Sequence, residues 1–156
     1  MELTQQQAFF SALEARLTAA GAECFPEPGA GAPQLGDGLG FSLPVGEDFH
    51  PALVELMVAQ LSPQDSLLQF YTTLFTDLEP ANQQRLPEAL NQINLFCPLG
   101  HFGLYQEKGQ LYHKYTLFLE EGAPAEALAS QAFSLLEWIQ RLLDQHYAVL
   151  APLALD

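Results

Sequence analysis

The stretch "LYQEKGQLYHKYTLFL", residues 104 to 119, constrains the fold more than any other part of the chain. Apolar and polar residues alternate on either side of Lys108-Gly109, the pattern of two strands joined by a tight turn. With those two residues as the turn, Tyr105 is expected opposite Tyr112 and Leu104 opposite His113. Phe102, Leu104, Leu111, Tyr115, Leu117 and Leu119 then share one face, suited to a core. Tyr105, Tyr112, Thr116 and Phe118 share the other, which is ordinarily polar in a sheet covered on one side. Either each of these aromatics covers its own neighbours, or they join into a patch of the size that marks a partner surface.

The rest of the chain supplies the partners of this hairpin. Thr4-Gln5-Gln6-Gln7 has the form of a capping box, and Phe10, Leu13 and Leu17 follow at helical spacing up to Gly21, predicting a helix over residues 5 to 20. The segment from Gly21 to Gly40, "GAECFPEPGAGAPQLGDGLG", is too rich in glycine and proline for a regular element and is expected to be a loop. From Leu39 the period becomes two, with Leu39, Phe41, Leu43 and Val45 on one face and Pro44 suggesting an edge strand. The pattern of "ALVELMVAQL", residues 52 to 61, fits helix or strand. The turn-like "SPQD" and the β-branched and aromatic "SLLQFYTTLFTDL" beyond it favour strand. In that next strand Leu68, Phe70, Thr72 and Leu74 line one face, and Leu67, Gln69, Tyr71, Thr73 and Phe75 the other. A helix from Glu79-Pro80 carries Leu86, Leu90, Ile93 and Cys97 on one side and ends at Pro98. Pro124-Ala125-Glu126 begins a last helix reaching about Val149. Its stripe of Leu128, Ala132, Leu135, Ile139, Leu142 and Val149 is widened by Phe133, Leu136 and Leu143. The order α-β-β-β-α-β-β-α predicts one α+β domain over residues 1–156, a five-stranded antiparallel sheet with helices on one face.

Charge narrows the choice of partners. Nineteen acidic residues stand against five basic ones, a formal net charge of −14. Phosphate binding needs clustered Lys and Arg, so neither nucleic acid nor an anionic membrane is an expected partner. No basic start followed by an apolar core marks a signal peptide, and no apolar run approaches the ~20 residues of a membrane span. A cytoplasmic protein is expected, with Cys24 and Cys97 as reduced thiols and Cys97 as a small core residue.

No motif states a chemistry. HExxH, paired CxxC, GxSxG and the phosphate-binding GxxxxGK[ST] are all missing. "GDGLG" has no strand leading into it and no helix leaving it, so it reads as a turn. His101 and His113 fall on opposite faces of the hairpin, which argues against a shared metal, and His50 and His146 have no evident neighbour. The carboxylates Glu120-Glu121, Asp37 and Glu47 belong to solvated loops. The expectation is therefore no enzyme, no cofactor and no metal.

The stretch from Leu86 through Leu119 resembles the type III secretion chaperone-like superfamily, including its YbjN-like branch. The features that carry the resemblance are "LPEALNQINLF", a helix with Asn91 and Asn94 three apart, and a small-residue turn at Gly100. The strand–turn–strand "HFGLYQEKGQLYHKYTLFLE" and the long C-terminal helix follow. The element order, small size and acidic balance agree, whereas the segment from Gly21 to Gly40 departs from the compact family pattern. The resemblance implies a homodimer that holds an extended protein or peptide client in apolar grooves. The candidate binding or dimer surface comprises Tyr71, Phe75, Tyr105, Tyr112 and Phe118 on the sheet with Phe133, Leu136 and Leu143 on the last helix. Strand 39 to 45 is a candidate edge for peptide addition. A small-ligand or regulatory domain, with a pocket under residues 21–40, is the alternative.

Overall fold

Burial alternates residue by residue through the middle of the chain, and this alternation builds a sheet. A computed structural model describes residues 1–27, 38–62, 65–120 and 122–155. Its strands are β1 (Cys24–Glu27), β2 (Gly38–Val45), β3 (His50–Gln60), β4 (Ser66–Phe75), β5 (His101–Tyr105) and β6 (Gln110–Leu119). Its helices are α1 (Leu3–Ala19), α2 (Pro80–Phe96) and α3 (Ala125–Leu155). The strands form one antiparallel sheet in the order β1-β2-β3-β4-β6-β5. Residues 52 to 60 are thus strand. Ala52, Val54, Leu56 and Val58 face the core, while Leu53, Glu55, Met57 and Ala59 point the other way.

The sheet has six strands where five were expected. The additional one, β1, lies inside the segment whose composition argued for a loop. Its pairing with β2 tolerates Pro26 because an edge position leaves the missing N–H facing away from the ladder. Residues 28–37 of that segment lie outside the described residues. With β1 in place, β2 is not an edge strand over Gly38–Phe41. Beyond that α3 covers it: Gln140 Nε2 donates to the Pro44 carbonyl at 3.0 Å, and the Gly46 amide donates to Asp144 Oδ1 at 2.8 Å.

All three helices bury their apolar residues in one cluster with the core-facing strand residues. In α1 these are Phe9, Leu13 and Leu17, four residues apart, and Phe10 is only partly buried. The helix starts at Leu3 behind Glu2, so the capping box at Thr4 does not form. In α2 they are Leu86, Leu90 and Ile93. Cys97 stands just past the helix end, with its thiol donating to the Leu99 carbonyl at 3.4 Å. The third helix packs against both α1 and α2 as well as the sheet, so its buried stripe is broad. Leu136 and Leu143 are its centre, and Val149 is exposed.

The β2–β3 turn is strained. Phe49, at the end of the β2–β3 turn, has φ +55° and is 75% exposed. A left-handed backbone is unfavourable for a residue with a bulky side chain. Phe49→Asn is expected to raise stability by about 1 kcal/mol, since asparagine tolerates this region and little packing is lost. A urea midpoint no higher than that of the parent chain would contradict it.

Candidate functional site

The face of the sheet opposite the helices is open among the described residues, and its rows follow from the register. Across β3, β4 and β6 they read Leu53–Thr73–Tyr112, Glu55–Tyr71–Lys114, Met57–Gln69–Thr116 and Ala59–Leu67–Phe118. At one margin β1 adds Phe25 and Glu27, and at the other β5 adds His101 and Tyr105. Phe118 is 72% exposed and Leu53 37%.

Rings lie close against bare backbone on this surface. Phe25 lies over Gly40 and Tyr112 over Gly103, and at either glycine a Cβ would collide with the ring. Tyr112 also stacks on Tyr71, with centroids 4.9 Å apart and planes at 21°. Gln110 Nε2 donates to Thr73 Oγ1 at 2.6 Å, and the Tyr71 hydroxyl points to Gln110 Oε1 at 3.5 Å. Burial among these neighbours raises the Tyr71 phenol above its ordinary pKa, and Tyr112, Glu55 and Tyr105 add to the effect.

Four residues expected on this surface are on it: Tyr71, Tyr105, Tyr112 and Phe118. Phe75 is not. A bulge between Thr73 and Phe75 inserts one residue into β4, so Phe75 pairs with core-facing Leu111 and turns inward. There it stacks against Tyr147 and His50. Leu136 and Leu143 are likewise interior. Phe133 is half-buried and lines a groove of about 310 Å³ between the end of α1, β2 and α3, with Leu17, Leu43 and Gln140 among its walls. The pattern of residues 52 to 61 fitted helix or strand and no faces were assigned to it, so the outward set Leu53, Met57 and Ala59 was missed, although alternation from Ala52 separates it. Phe25 was hidden by the glycine and proline around it.

Over Gly38–Phe41 β2 offers no free edge for a peptide, because β1 pairs with it there. On the β5 side, Asn94 of α2 acts as a substitute strand. Its Nδ2 donates to the Phe102 carbonyl and its Oδ1 accepts from the Phe102 amide, both at 2.8 Å. Asn91 is exposed.

The four histidines lie in different settings. His101 stands on the open face opposite Lys114, while His113 is fully buried. His50 bonds to the Leu74 carbonyl, and His146 meets the edge of Phe102. Among the described residues no group of three His, Cys, Asp or Glu side chains is placed to hold a metal. Burial raises both thiols, Cys24 and Cys97, above their ordinary pKa, which disfavours the reactive thiolate. Among the described residues no helix is long and apolar enough to cross a membrane.

Against known families, residues 49–151 match the YbjN model, described as "Putative bacterial sensory transduction regulator". The chain belongs to the YbjN family. This family is related to the type III secretion chaperone-like fold, and the YbjN match takes in β3, β4, α2, β5, β6 and most of α3. The three central strands of the open face are therefore part of the YbjN core, and β1, with Phe25, lies outside it. No curated protein and no solved structure matched the chain.

Proposed function

We propose that this YbjN-family chain is a cytoplasmic, non-enzymatic protein-binding module that works through the open face of its sheet. The observation that carries this reading is the stacked Tyr71–Tyr112 pair, continued by Leu53, Met57 and Phe118 on a face no helix covers. Tyrosine and phenylalanine give large contact area for little side-chain entropy, and interface cores are depleted of charge. Among the described strand residues of this face, only Glu27, Glu55 and Lys114 bring formal charge, in a chain of net charge −14. Its output is then the binding of a protein rather than turnover of a substrate, in keeping with the regulatory description of the family and with a chaperone-like fold.

Two exposed positions test the reading without disturbing the core. Leu53→Ser with Phe118→Ser is expected to leave stability within about 1 kcal/mol, as exposed substitutions usually do. Affinity capture from cell extract should lose the proteins retained by the parent chain. Identical captured sets from both chains would rule out this face as the working surface.

A further inference from the structure

The groove beside Phe133 is apolar along its walls and accepting at its mouth. Leu17 of α1, Leu43 of β2, and Phe133 and Leu136 of α3 line about 310 Å³, near the lower end for small-molecule sites. The polar side chains of the lining are Ser42, Glu137 and Gln140, and no Lys, Arg or His joins them among the described residues. We infer that this groove binds a small organic amine, its apolar body against Phe133 and Leu43 and its ammonium on Glu137. The inference goes beyond the reading of the open face, because the groove lies on the helix side of the sheet.

The polar groups at the mouth call for a donor. Gln140 Nε2 donates to the Pro44 carbonyl at 3.0 Å, so its Oε1 remains as an acceptor. Helix α1 ends here through Gly21, whose left-handed backbone has φ +93°. The amides of Gly21 and Ala22 bond back to the Thr18 and Leu17 carbonyls, both at 3.0 Å. Ala20, the C-cap, lines the groove, so the negative end of the α1 dipole lies at its mouth. The cation of that last turn, Arg16, is answered elsewhere, with its Nη2 3.1 Å from Glu126 Oε2. Glu137 is exposed and has no ion-pair partner among the described residues. An ammonium brings three donors and the complementary charge, whereas a carboxylate or phosphate would meet acceptors alone. The net charge of −14 attracts the same sign of ligand. At this volume the apolar body is a single ring or a short alkyl chain.

Heteronuclear NMR titration tests it with phenethylamine and hexylamine as probes. Both are expected to move the amide signals of Ala22, Ser42 and Gln140 and to saturate with a Kd on the order of 1 mM, as suits ligands of so few atoms. Phenethyl alcohol has the same body without the charge, and hydrocinnamate carries the opposite charge. Each should bind about tenfold more weakly or worse. Glu137→Gln changes an exposed side chain, leaves the fold intact and should weaken both amines by about tenfold. Glu88→Gln, an exposed change on α2, should leave them unaffected. Four results would each overturn the site. Neither amine binds, or the amines shift scattered acidic positions without saturating. The alcohol binds as tightly as its amine, or the Glu137→Gln chain binds like the parent.

Discussion

Asn94→Leu is expected to destabilise the fold by about 2–4 kcal/mol, a large effect for a half-buried polar residue near a helix end. Leucine has nearly the shape of asparagine, so packing alone predicts little change. What is lost is the pair of 2.8 Å hydrogen bonds to Phe102, whose side chain is buried in the core. Each bond contributes about 1 kcal/mol net, and an amide or carbonyl left desolvated adds about 1–3 kcal/mol. Asn94→Asp separates the two bonds: a carboxylate still accepts from the Phe102 amide but repels its carbonyl. It also puts negative charge in the last turn of α2, the wrong end of the helix dipole. Its loss should be comparable to that of leucine at neutral pH and smaller in acid. Urea unfolding reads both, and a leucine variant within about 0.5 kcal/mol of the parent would show that solvent satisfies the Phe102 groups equally well. The leucine variant also uncovers the β5 edge, so association through that edge should appear with it.

How much of this was legible in the sequence depends on how local the determinant is. Which residues share a face is a property of one strand, and the alternation from Gln110 to Leu119 carried it correctly. Which residues stand opposite each other depends on the loop. Tyr105 pairs with Gln110 and Leu104 with Leu111, so Gln106–Gly109 is a four-residue loop containing a 3-10 turn, not a two-residue turn. That choice is tertiary, since the Gly109 carbonyl accepts from the Leu78 amide and docks the loop on the β4–α2 connection. The bulge that turns Phe75 inward also arises between strands, and no periodicity within "SLLQFYTTLF" announces it. Leu136 and Leu143 were misread because a helix seated between two others buries more than one stripe. Asn94 was visible as part of a family pattern, but its role needed β5 placed at the edge.

A second large effect is expected from pH, and it turns on His113. Its Nε2 donates to the Leu99 carbonyl at 2.7 Å, which leaves Nδ1 to take any second proton. That nitrogen is buried without a hydrogen-bond partner, as is Oγ1 of its cross-strand neighbour Thr72. Burial lowers the His113 pKa to about 4, opposed by the bond to Leu99, while His101 of β5 and His146 of α3 push it further down. The sign follows. Above about pH 6.5 the ring is neutral in the folded and unfolded chain alike, so protonation contributes nothing. As pH falls from there towards 4, the unfolded chain takes up a proton that the folded ring refuses. Stability then drops by about 1.4 kcal/mol per pH unit, roughly 3 kcal/mol across the window. His113→Leu gives up the bond to Leu99, about 1 kcal/mol at pH 8, but removes this slope. Burial lowers His146 as well, so His146→Gln serves as the control for its smaller share. Urea unfolding of the three chains at intervals between pH 8 and pH 4 should show the parent and His113→Leu curves converging in acid. Parallel curves would mean that the folded chain admits the proton at His113 without penalty, and that the pocket under Phe102 is wetter or looser than its contacts require.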